Sequence, residues 1–127
     1  CYIEWHPKPF AGVNGSGCHT NFSTKGMRDS SEGLSLITSA IEKLKEKHAE
    51  HMSIYGKYNE RRMSGQYETA AYGTFSFDID KPVNRGASIR ISHDTVKEGK
   101  GYFEDRRPAS NCDPYLVTAA IANTCIL

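Results

Sequence analysis

An apolar stripe limits what this chain can fold into more than any other feature. Leu34, Ile37, Ile41, Leu44, His48, Met52 and Tyr55 recur at steps of three or four, the spacing of one helical face. They predict one long helix from Glu32 to Tyr55, with Asp29, Ser30 and Ser31 as candidate N-caps and Gly56 as its stop. Asp29 and Glu32 have the spacing of a capping box. The pairs Glu42–Lys45, Lys43–Glu46 and Lys47–Glu50 fall on the outer face. A helix this one-sided owes its stability to packing against another apolar surface.

Strand candidates supply that surface. Tyr2 to His6, Cys18 to Thr24, Tyr72 to Ile79, Ala87 to Ser92 and Gly101 to Asp105 carry strand-like alternation or β-branched and aromatic residues. Asn59 to Gly65 reads as a short helical turn, Glu68 to Ala71 as a loop, and Asp80 to Pro82 as a turn. Asp113-Pro114 is a helix start, with Asp as N-cap and Pro in the first turn. Strands and helices are mixed without regular βαβ alternation. The expected class is therefore α+β, an antiparallel sheet covered by helices, with all of residues 1–127 in one domain.

A net charge of +1 gives no electrostatic footprint for nucleic acid or anionic lipid. No apolar run approaches the roughly 20 residues of a membrane-spanning helix. Cys1, Cys18, Cys112 and Cys125 lack C-x-x-C spacing and read as reduced thiols of a cytosol-like compartment. The chain opens on Cys1 rather than Met, and Ala119 to Leu127 is still apolar and helical in pattern where it stops. Both ends are expected to continue in a longer protein.

The chemistry concentrates in GYFEDRRPASNCDP, Gly101 to Pro114. On a strand, Glu104 and Arg106 face one way and Asp105 and Arg107 the other. A carboxylate and a guanidinium on one face can hold a divalent cation and an oxyanion together. The same pattern also fits an edge strand with a surface ion pair, which contributes little. Asn14-Gly15-Ser16-Gly17 before His19 can set backbone amides against an anion while the imidazole takes a metal. Arg61 with Arg62, and Arg85 with Arg90 around a short strand that turns Ser88 and Arg90 to one face, are each equally compatible with solvated surface charge. His48 and His51 as a metal pair, and Asp78 with Asp80, carry less, since the stripe puts His48 on the packed face and the aspartates flank a turn.

The wording of GYFEDRRPASNCDP closely resembles the C-terminal motif of the glutamine synthetases in their eukaryotic-type (class II) form. Three more blocks resemble that family in the same order: NGSGCHTNFSTKGMR (Asn14 to Arg28), NERRMSGQYET (Asn59 to Thr69) and NRGASIRI (Asn84 to Ile91). The resemblance runs from about Pro7 to Leu127. It implies part of the glutamine synthetase catalytic-domain fold, with a small N-terminal β-grasp domain and further metal-binding glutamates upstream.

The resemblance also implies roles. His19 and Glu104 match metal ligands, with Mg²⁺ or Mn²⁺ as the ion. Asn14 and Gly15 match the loop along the glutamate substrate, and Arg62 matches the arginine on its carboxylate. Asn21, Phe22 and Ser23 match a segment that contacts ATP, and Tyr102, Phe103 and Glu104 the wall near the nucleotide. Arg85 and Arg90 match arginines around the transferring phosphoryl group, and Arg106 the one at the reacting γ-carboxyl. Glu68 matches the flap glutamate that closes over the site and shapes the ammonium pocket. Glu68, Arg85 and Arg106 are thus the expected catalytic residues, and Arg85 also belongs to the glutamate site. Phosphoryl transfer rewards this repetition of arginines and metal carboxylates, because it needs alignment and charge neutralisation more than covalent help.

The implied reaction is ATP-dependent formation of glutamine from glutamate and ammonium through γ-glutamyl phosphate. The implied protein is a cytoplasmic homo-oligomer, a decamer, although a plastid or mitochondrial location remains open. These 127 residues by themselves are expected to be inactive. One local departure stands out. Family members usually carry an acidic or amide residue and a Trp where this chain has only Val13 between Gly12 and Asn14. A γ-glutamyl ligase using another amine, and a catalytically silent structural relative, are the alternatives left open.

Overall fold

The computed structural model describes residues 1–127. Nine elements follow in order: β1 (Thr20–Phe22), α1 (Lys25–Asp29), α2 (Gly33–Glu46), α3 (His48–Ile54), α4 (Asn59–Arg62), β2 (Ile89–Ile91), α5 (His93–Glu98), β3 (Phe103–Asp105) and α6 (Pro114–Ile126). The strands form an antiparallel sheet in the order β1-β3-β2. The α+β class with helices covering an antiparallel sheet is what the sequence led one to expect.

The sheet's register decides everything that follows. Asn21, Glu104 and Arg90 lie opposite one another across the three strands. Side chains opposite one another share a face, so this row points away from the helices. The flanking rows, Phe22–Phe103–Ile91 and Thr20–Asp105–Ile89, point inward. Phe103, Ile89 and Ile91 are buried there with Ile37, Ile41 and Leu44 of α2 and Val117 and Ile121 of α6.

The predicted long helix is two helices, broken at Lys47. The reason is tertiary. His48 is only half-buried; its Nε2 lies 2.9 Å from the Tyr72 carbonyl, and its Nδ1 2.9 Å from Arg107. His51 is the more buried histidine. Asp29 does not cap α2. It ends α1, and Ser30 Oγ accepts the Glu32 amide at 3.1 Å. Two helices escaped the sequence reading: α1, capped by Thr24, whose Oγ1 accepts the Met27 amide, and α5, capped by Ser92. Both are too short to show periodicity. Asp113 accepts the amides of Tyr115 and Leu116, so α6 starts where expected.

Two expected strands are absent. Tyr2 to His6 forms no strand, with Trp5 69% exposed. Tyr72 to Ile79 forms no strand; Phe75, Phe77 and Ile79 pack on the core, Tyr72 N donates to the Met63 carbonyl, and the Ser76 carbonyl accepts from Ser88 and Ile89. Of the outer pairs, Glu42–Lys45 and Lys47–Glu50 form. Asp78 serves its turn, accepting the Asp80 amide. All four cysteines are unpaired. No helix is long and apolar enough to cross a membrane.

Candidate active site

β3 places Glu104 at the centre of the outward row. Its Oε2 accepts from Arg90 Nε at 2.7 Å, and its Oε1 lies 3.1 Å from His19 Nδ1 and 3.4 Å from Arg106 Nη1. Burial alone would push this carboxyl up. The His19 hydrogen bond and the charges of Arg106 and Arg90 outweigh burial and hold it at about 2, so it is ionised at neutral pH.

Arg106 follows the strand and keeps its alternation. Its Nη2 donates to the carbonyls of Arg85 at 3.0 Å and Glu68 at 3.3 Å. Its Nε is buried and has no partner. A buried, orphaned guanidinium N–H beside a cavity is a donor waiting for an anion.

The loop before β1 approaches closely. A Cβ on Gly15 would sit 2.5 Å from Arg62 Cγ and 2.7 Å from the Pro7 carbonyl oxygen, so that position needs glycine; one on Gly17 would sit 2.9 Å from Arg62 Nη1, the far end of a long side chain. The loop is pinned by Ser16 N to Pro7 O, Cys18 N to Pro108 O and Ser110 N to Ser16 O. Arg62, at the end of α4, is buried; burial first and Arg106 second lower it to about 10. Its Nε donates to Asn59 Oδ1, and its Nη2 donates to the carbonyls of Arg106 and Arg107. Only Nη1 remains for a ligand.

Glu68 and Arg85 close the far side with an exposed ion pair at 3.0 Å. Tyr67 (φ 50°) and Glu68 (φ 62°) are consecutive non-glycine residues in left-handed conformation. Such strain persists where the surroundings impose it and is concentrated at functional loops.

Two cavities are lined by residues bonded to one another through Glu104. One of about 120 Å³ is lined by the Asn14–Gly17 loop, His19, Arg62, Glu68 and Arg106. The other, about 260 Å³, is lined by Asn21, Val83, Arg90, Ser92, Tyr102 and Glu104. Glu104 contacts His19 and Arg106 of the first cavity while lining the second. The pair of His19 nitrogen and ionised Glu104 oxygen suits a divalent cation, hard or borderline. No group of three or more His, Cys, Asp and Glu that could hold a metal ion gathers anywhere in the chain, whether around this pair or around His48 and His51.

The family model described as "Glutamine synthetase, catalytic domain" matches residues 2–126. This chain belongs to the glutamine synthetase family. It is 59% identical over 126 residues to a glutamine synthetase cytosolic isozyme of Pinus sylvestris, covering 98% of this chain and 34% of that protein. It is 58% identical to glutamine synthetase root isozyme 5 of Zea mays, with 98% and 34% covered. The cytosolic isozyme 1-5 of Arabidopsis thaliana is 56% identical, with 98% and 35% covered. The chain thus spans about a third of the length of the curated relatives it matches.

The expected residues separate between the two cavities. Asn14, Gly15, His19, Arg62, Glu68 and Arg106 gather at the smaller cavity, and Asn21, Arg90, Tyr102 and Glu104 at the larger. Arg85 lines neither cavity; its carbonyl accepts from Arg106 and its side chain pairs with Glu68, both of the smaller cavity. Phe22 and Phe103 line neither cavity. Their rings lie 5.5 Å apart on the core side of the sheet, Phe103 fully buried and Phe22 partly buried. Ser23 is held by Arg28 at 2.7 Å and lines neither cavity. Ser88 is buried and bonded to Ser76 and Thr74, leaving Arg90 alone on the open face. Sequence reasoning missed Thr69, whose hydroxyl donates to the Arg62 carbonyl, and Val83, which lines the larger cavity. Thr69 lay inside a motif block, so its position was a signal; Val83 gave none.

Proposed function

We propose that this chain is the C-terminal part of the catalytic domain of an ATP-dependent glutamate–ammonia ligase. The observation that carries this reading is Glu104, ionised, lining the larger cavity and bonded to Arg90 there and to His19 and Arg106 of the smaller one. The larger cavity receives the triphosphate end of ATP and the smaller one receives glutamate. His19 and Glu104 would share a Mg²⁺ or Mn²⁺ ion with carboxylates of the upstream chain, and this ion would neutralise phosphate charge. Arg62 Nη1 and the orphaned Arg106 Nε are the donors for glutamate's carboxylates. Arg90 steadies Glu104 and, with Arg85, faces the phosphoryl group as it moves to the γ-carboxylate. Ammonia then attacks the acyl phosphate carbon, phosphate leaves and glutamine remains. Glu68, on its strained loop, attracts ammonium and accepts its proton.

The rest of the active site lies in the two thirds of the relatives' length that this chain does not span. The working enzyme is proposed to be a cytoplasmic homo-oligomer, in keeping with relatives named cytosolic isozymes. The test uses the full-length parent chain. Wild type should form glutamine from glutamate, ATP and ammonium, and Glu104→Gln should lose that activity while still folding. A folded full-length wild type that binds ATP but makes no glutamine would favour a silent relative. Turnover with another amine in place of ammonium would favour the other ligase.

A further inference from the structure

Behind the active face lies a buried polar chain that the reaction does not use. Asp105 and Arg107 are fully buried and doubly bonded, Nε to Oδ1 at 2.9 Å and Nη2 to Oδ2 at 2.8 Å. Asp105 Oδ1 also accepts the amide of Arg107 at 3.1 Å. That last bond spans Arg106, so the Asp105 side chain, with the Ser88 carbonyl that accepts the Arg106 amide and Arg62 that donates to the Arg106 carbonyl, holds the backbone on which Arg106 is carried. Tyr55 Oη donates to Asp105 Oδ2 at 2.8 Å, His51 Nδ1 lies 2.6 Å from Tyr55 Oη, and Thr124 Oγ1 lies 2.8 Å from His51 Nε2.

The direction of every proton in this chain is fixed. Burial, then the Asp105 charge, push the Tyr55 hydroxyl far up, so it stays protonated and donates to the carboxylate. Its oxygen must then accept from His51 Nδ1–H. That tautomer leaves Nε2 as an acceptor, and Thr124 donates to it. The chain therefore runs one way, from α6 through α3 to the end of β3, and terminates on the residue that shapes Arg106.

We propose that Tyr55 and His51 are positioning residues for Arg106 and, through it, for the glutamate pocket. They touch neither cavity. They orient Asp105, which fixes the Arg106 backbone and so the aim of its unpartnered Nε. The nucleotide cavity depends on them less: Arg90 and Asn21 are carried by β2 and β1, and Glu104, its lining residue on β3, is held by its own bonds to Arg90 and His19. The inference rests on the glutamate-site reading above.

The test is equilibrium binding of glutamate and of ATP to the full-length enzyme and its variants, with folding checked by circular dichroism. Tyr55→Phe should weaken glutamate binding fivefold or more and leave ATP within twofold. His51→Leu should do the same, and His51→Gln, which keeps a donor near Tyr55, should recover most of the loss. This second pair carries the test if Tyr55→Phe does not fold. Unchanged glutamate binding in Tyr55→Phe and His51→Leu, or equal weakening of both ligands, would overturn the proposal. Wild type that binds no glutamate would instead remove the function reading, and this inference with it.

Discussion

The two faces of β3 carry the same chemistry to opposite ends. Glu104 and Arg106 face outward; Asp105 and Arg107 face inward. On the inner face every charged group is answered: Asp105 by Arg107 and Tyr55, and the remaining arm of Arg107 by His48. On the outer face one carboxylate meets two arginines and a histidine, and Arg106 Nε is left unanswered beside a cavity. An acidic–basic pair is therefore no sign of a site by itself. Surplus positive charge, an orphaned donor and open volume are what separate a binding face from a structural one.

The contrast breaks most visibly on the inner face. Asp105→Asn should cost about 3–5 kcal/mol of stability, because it strands Arg107 in a dry interior; urea denaturation reads this. The matching outer change, Glu104→Gln, should shift the urea midpoint far less. It should instead lower kcat of the full-length enzyme roughly 10²–10³-fold, the scale of losing a preorganised electrostatic group. Comparable stability losses from both substitutions would erase the distinction.

Acid sharpens it. Burial, then the Arg107 charge, lower His51 to about 4 from 6.5. Between those values the unfolded chain binds the extra proton. His51 thus contributes stability that is full above pH 6.5 and is lost as pH falls through about 4. The loss is about 3 kcal/mol at most. Glu104, held at about 2, contributes stability that persists above its ordinary 4.5 and disappears only as pH falls toward 2. The inner face should therefore weaken first on acidification, and His51→Gln should flatten the pH 6.5–4 part of a stability titration. The smallest effect belongs to the rim: Glu68→Ala breaks an exposed pair and should cost under about 1 kcal/mol, while still slowing turnover.

Much of this was legible in the sequence. Alternation alone assigned Glu104 with Arg106 and Asp105 with Arg107 to opposite faces, and Asp113-Pro114 located α6. What alternation could not tell was depth. Phe22 and Phe103 stand in site motifs yet point into the core, since their places in the register oppose the helices. Tyr2 to His6 and Tyr72 to Ile79 look like strands, but pairing depends on partners distant in sequence. The break at Lys47 is invisible for the same reason: His48 answers to Arg107 and Tyr72, which the stripe does not contain. Arg62 read as a ligand-binding arginine, and only the fold reveals that most of its donors hold the β3 exit in place.

The most direct measurement is a Mn²⁺ titration of the full-length enzyme, followed by electron paramagnetic resonance, in wild type and Glu104→Gln. The outer face of β3 as a metal and phosphoryl site predicts that the variant, still folded, loses one bound Mn²⁺ per subunit or binds it at least tenfold more weakly. Unchanged stoichiometry and affinity would contradict the assignment of Glu104 and leave the outer face as a surface ion cluster.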